Sequence, residues 1–96
     1  MEVIECGGVL MAETGSKRIG VVGIVVEDRL HAAAKVQDIL TRHGDVIVGR
    51  MGIPYDERKV AVIALIVDGT TDEVGSLTGK LGSVPGVLVK SALTAK

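Results

Sequence analysis

The stretch Ile19-Gly20-Val21-Val22-Gly23-Ile24-Val25-Val26-Glu27-Asp28 returns 41 residues later as Val60-Ala61-Val62-Ile63-Ala64-Leu65-Ile66-Val67-Asp68-Gly69. Each copy opens with eight apolar residues rich in Val and Ile and then meets an acid, the pattern of a buried strand that ends at the surface. We read strands over Ile19–Glu27 and Lys59–Asp68. After the first, Asp28 can cap a helix with its carboxylate. Ala33, Val36, Ile39 and Leu40, with Ala32 beside them, recur at helical spacing, and Gly44 stands where a helix stops. After the second, Thr70-Thr71-Asp72-Glu73 spells a capping box, and Val74, Leu77 and Leu81 supply an inward stripe before Pro85-Gly86. The same shift lays Ala33 on Val74, Val36 on Leu77, Leu40 on Leu81 and Val46-Ile47-Val48 on Val87-Leu88-Val89.

Two further strands complete the halves, Asp45–Ile53 and Val87–Leu93, with a reversing turn expected at Pro54-Tyr55-Asp56-Glu57. The order is βαββαβ, and the repeat predicts an α+β, ferredoxin-like sandwich. In it a four-stranded antiparallel sheet, order 4-1-3-2, carries both helices on one face. Residues 18–96 make this domain. Residues 1–17, with their Cys6-Gly7-Gly8 break, read as an extension that is loosely ordered or adds a short strand.

Composition narrows the function. The chain has 96 residues, 47% hydrophobic and 24% charged, with a formal net charge of −1, which describes one globular domain. From residue 18 onward, basic and acidic side chains nearly balance, so direct binding to nucleic acid by this chain alone is not expected. No apolar run approaches the roughly 20 residues of a membrane span, and Glu2 and Glu5 stand where a signal peptide would be basic. A cytoplasmic protein is expected. The lone Cys6 excludes an internal disulfide and a cysteine-based metal cluster.

Ferredoxin-like sheets serve many functions, so the chemistry must be read from sites. RNA-recognition domains stack bases on aromatic residues of the central strands, and these strands have none. An acylphosphatase-like site would need an Asn, and the chain has none. Gly75-Ser76-Leu77-Thr78-Gly79-Lys80 fails as a P-loop, because only three residues separate its glycines and Leu81 follows its lysine. No nucleophile–base pair is visible, so an enzyme is not expected. Two places could hold a small ligand. Glu27, Asp28 and Arg29 sit where a central strand meets a helix start, a position equally served by an N-cap and a solvated loop. Gly75, Gly79 and Gly82, with Lys80, each cost the second helix about 0.8–1 kcal/mol relative to Ala for the glycines. That cost points either to close packing or to a ligand's approach.

His31 and His43 lie 12 positions apart on the first helix, about 120° around it. They cannot share one metal ion within a chain, and no cofactor or metal site is assigned. A metal held between subunits is the alternative reading, which would make the protein a metal-responsive transcriptional regulator.

Val25-Val26-Glu27-Asp28, Gly49-Arg50-Met51-Gly52-Ile53-Pro54, Gly79-Lys80-Leu81-Gly82 and Gly86-Val87-Leu88-Val89-Lys90 follow at intervals that resemble the small bacterial proteins labelled iron-only hydrogenase system regulators. That family groups with ACT-like domains and the C-terminal domain of the nickel-responsive repressor. The resemblance covers Arg18 to Leu93 and implies a regulatory role linked to expression or maturation of iron-only hydrogenase. ACT domains that bind amino acids carry Asp-Arg-x-Gly at the first strand–helix junction, and here His31 occupies the glycine position.

Strand alternation adds an expectation about assembly. If Val22, Ile24, Val26, Ile63, Leu65 and Val67 face the helices, then Val21, Gly23, Val25, Val60, Val62, Ala64 and Ile66 face away. That second face should meet water, yet it is apolar. It predicts a homo-oligomer, a dimer or a tetramer, that responds to a small ligand or a partner protein. The rival cover for the face is the N-terminal extension.

Overall fold

The computed structural model describes residues 16–96, except the side chain of Arg29. The proposed N-terminal extension, with Cys6, therefore falls almost wholly outside the described residues. The elements run β1 (Arg18–Val26), α1 (Arg29–Arg42), β2 (Ile47–Tyr55), a 3-10 turn (Asp56–Arg58), β3 (Val60–Gly69), α2 (Thr71–Gly82) and β4 (Val87–Leu93). The sheet order is β2-β3-β1-β4, with every neighbouring pair antiparallel. This is the expected 4-1-3-2 arrangement read from its other edge. Each βαβ half leaves a gap between its two strands that a strand of the other half fills, so neither half closes a sheet alone.

The alternation works as the repeat requires. Val22, Ile24, Val26, Ile63, Leu65 and Val67 are buried beneath the helices. They pack with Ala32, Val36 and Leu40 of α1 and with Val74, Leu77 and Leu81 of α2, closed at one end by Val84 and Val87. A fully buried aliphatic side chain stabilises the fold by about 1.5–3 kcal/mol. No polar or charged residue joins this core among the described residues.

Both helix starts behave as their residues dictate. The Asp28 carboxylate accepts from the His31 backbone N–H at 3.2 Å. In the capping box, Thr70 Oγ1 accepts from the Glu73 N–H at 3.1 Å while Glu73 Oε1 accepts from the Thr70 N–H at 2.8 Å.

Four details differ from the sequence reading. Ala33 is exposed and Ala32 is buried in its place. The caps, Asp28 and Thr70, stand 42 residues apart whereas the paired strand residues stand 41 apart, so the first turns of the helices fall out of step by one residue. Pro54-Tyr55 belongs to β2, not to the turn, and Pro54 pairs with Ala61. β2 is an edge strand, where a missing N–H is tolerated. The reversal is made instead by Asp56–Arg58 and by Lys59, which takes the left-handed conformation at φ 56°. Finally, Gly44 follows the helix without a positive φ, its N–H donating to the Thr41 carbonyl at 3.3 Å. The α1 end is capped by His43, whose Nδ1 donates to the Ile39 carbonyl at 2.9 Å.

Candidate functional site

The residues singled out for ligand binding separate into two places. Glu27, Asp28 and Arg29 lie at the β1–α1 junction, held by the segment before β4: the Glu27 N–H donates to the Gly86 carbonyl at 2.7 Å. Here Asp28 has a second partner that the sequence reading missed. The His31 ring turns back over the first helical turn and brings Nδ1 to 2.9 Å from Asp28 Oδ2 and 3.1 Å from Oδ1. The imidazole hydrogen bond, with the capping N–H beside it, lowers the Asp28 pKa below its usual value. The spacing of the cap and the third helical residue carries that signal, which neither the metal reading of His31 nor its place at the ACT glycine position uses.

Gly75 and Gly79 lie elsewhere. With Thr78 and Gly82 they line one wall of an open cleft of about 540 Å³, and Val87 to Ser91 of β4 line the other. A Cβ added at Gly75, Gly79 or Gly82 would meet nothing within 4 Å. Close packing within the chain therefore does not explain these glycines. Glu27, Asp28 and Lys80 line neither this cleft nor the hollow on the sheet side away from the helices.

The most distinctive surface is the side of the sheet away from the helices. Register places Val21, Gly23 and Val25 of β1 and Val60, Val62, Ala64 and Ile66 of β3 there together, as the alternation required. Val21 and Ile66 are 56% and 51% exposed. The edge strands continue the apolar character with Met51, Ile53 and Tyr55 on β2 and Leu88 on β4, all exposed. These four lay beyond the sequence reading, which considered only the central strands. An open hollow of about 450 Å³ lies on this face, lined by Gly23, Val25, Leu88, Val89 and Lys90.

No group of three His, Cys, Asp or Glu side chains gathers as a metal site among the described residues; His31 turns Nδ1 to the N-cap Asp28 and His43 turns Nδ1 to the Ile39 carbonyl. No helix among the described residues is long and apolar enough to cross a membrane.

Four antiparallel strands under two helices, with one sheet face bare, define an α+β sandwich of the ferredoxin-like class. The chain belongs to the TM1266-like family, described as an iron-only hydrogenase system regulator, whose model matches residues 18–91. Among solved structures it is similar to the uncharacterized protein TM1266 from Thermotoga maritima, with 38% identity over 81% of this chain and 98% of that one, at a TM-score of 0.78. It also shares its fold with the ACT domain of GTP pyrophosphokinase from Chlorobium tepidum, with 20% identity over 83% of this chain and 89% of that one, TM-score 0.62. A formyltetrahydrofolate deformylase from Pseudomonas syringae pv. tomato contains a similar fold within 30% of its length, at 15% identity over 88% of this chain and a TM-score of 0.53. No curated protein sequence matches the chain.

Proposed function

We propose that this protein is a non-enzymatic regulatory domain of the iron-only hydrogenase system, which works as an assembly of identical chains and responds to a small ligand or a partner protein. The observation that carries this reading is the bare sheet face. Val21, Met51, Ile53, Ile66 and Leu88 are each more than half exposed on one side of one sheet. Monomers rarely leave a contiguous apolar surface of more than a few hundred Å² uncovered. A second copy presenting the same surface around a two-fold axis is the simplest cover. Membership in the regulator family supports the regulatory role.

Light scattering on the full chain and on a chain beginning at Lys17 tests the reading. A dimer or tetramer is expected for both at tens of micromolar. Monomers in both would overturn it, and a monomeric full chain beside an oligomeric shortened one would assign the cover to the first 16 residues.

A further inference from the structure

Four residues that are direct cross-strand partners make one transverse row on the bare face: Met51 of β2, Ala64 of β3, Gly23 of β1 and Lys90 of β4. The row on one side reads Gly49, Ile66, Val21, Ala92, and the row on the other reads Ile53, Val62, Val25, Leu88. At the centre of the sheet a hydrogen and a methyl group therefore lie between Val21 and Ile66 on one flank and Val25 and Val62 on the other. The result is a trough floored by Gly23 and Ala64, which opens into the 450 Å³ hollow against β4. Small-molecule sites have volumes of roughly 300–1,000 Å³ and mostly apolar walls with a few placed polar groups.

Gly23 has no internal reason to be glycine. A Cβ there would meet nothing within 4 Å, and its φ is not positive. A glycine in the middle of a central strand weakens the strand, and such positions mark close approach by a ligand or another backbone. At the β4 end of the row stands Lys90, the one basic residue among the strand positions of this face, with no ion pair among the described residues. The acid on the same face, Asp68, sits at the far end of β3 opposite Ile19. One end of the trough is thus cationic and its floor and walls are apolar.

We infer that this trough is a binding site for an apolar molecule bearing one carboxylate, its hydrocarbon part lying over Gly23 and Ala64 and its carboxylate paired with the Lys90 ammonium. The inference rests on the reading of the same face as the contact between copies. In one chain the trough has a floor and two walls, and the second chain supplies the roof that takes the hydrocarbon out of water. Ligand occupancy and assembly are then coupled, because anything that binds the roofed state draws the equilibrium toward it.

Equilibrium dialysis with decanoate and with decanol on the full chain, beside light scattering, tests both readings separately. Saturable decanoate binding is expected. Lys90→Gln should weaken it about tenfold, the scale of a lost charge-assisted hydrogen bond, while leaving the weaker decanol binding unchanged. Gly23→Val, whose Cβ would meet nothing within 4 Å, should fill the floor and abolish binding of both, with the fold checked by circular dichroism. Unsaturable uptake, no uptake, or decanoate binding that is indifferent to either substitution would overturn the site. A monomer whose decanoate binding still depends on Gly23 and Lys90 would uphold the site and overturn the reading of the face as an interface. A dimer without that binding would do the reverse.

Discussion

Gly86 lies against Asp28. A methyl group on Gly86 would come within 3.1 Å of the Asp28 Cβ, and Gly86 itself sits at φ +81°, where L side chains are disfavoured. The residue that turns the chain into β4 and the residue that caps α1 are thus fitted to each other. Gly86→Ala meets both the backbone strain and the contact. It should destabilise the protein by about 1–2 kcal/mol, a fall in Tm of several degrees for a domain of this size. A thermal melt by circular dichroism reads it, and an unchanged Tm would mean that the loop relaxes freely.

Asp28 also makes stability depend on pH. Its pKa is lowered, first by the His31 ring, so the folded state holds the charged carboxylate more tightly than the unfolded chain does. That contribution is whole above the ordinary carboxylate value and is lost as the pH falls through the lower folded value. Side-chain carbon NMR should find the Asp28 midpoint below 3.8, and His31→Ala should return it toward 3.8. An Asp28 midpoint unmoved by that substitution would remove His31 as the cause.

The core should respond steeply. Leu77 is fully buried between α2 and the sheet. Leu77→Ala should cost about 2–5 kcal/mol, lost contact and cavity together. Urea unfolding measures it, and a cost under one kcal/mol would mean that α2 packs more loosely than described.

Gly69 should tolerate no side chain. A Cβ there would overlap the Val46 Cγ1 methyl and crowd the Glu73 side chain that completes the capping box. Gly69→Ala should destabilise by about 1–3 kcal/mol, as overpacking does. The double variant Gly69→Ala with Val46→Ala should recover part of that loss, and no recovery would put the strain elsewhere.

The bare face should be separable from the fold. Val21 and Ile66 are cross-strand partners, both more than half exposed. Replacing them with Lys and Glu respectively should leave the circular dichroism spectrum of the chain intact and turn an oligomer into a monomer in light scattering. Unchanged mass would place the contact on another surface.

The sequence determined a good deal unaided. Because strand side chains alternate and helix side chains recur at 3.6 residues, the apolar pattern from Ile19 to Leu93 sufficed for the element order and the helix-facing set from Val22 to Val67, and the polar Asp28 and Thr70–Glu73 marked both N-caps. It also sufficed to place Val21, Gly23 and Ile66 together on the opposite side. Those are consequences of local geometry and of one repeat. What the tertiary structure alone decided depends on neighbours that are distant in the chain. The Lys59 reversal replaced the Pro54 turn because the pairing of Pro54 with Ala61 carries β2 two residues further. Ala32 displaced Ala33 because each helix start follows its own cap rather than the strand repeat. The trough exists only because three separate registers bring Met51, Ala64, Gly23 and Lys90 into one row. Periodicity tells which face of a strand a residue occupies, whereas only the hydrogen-bonded register between strands tells which residue stands beside it.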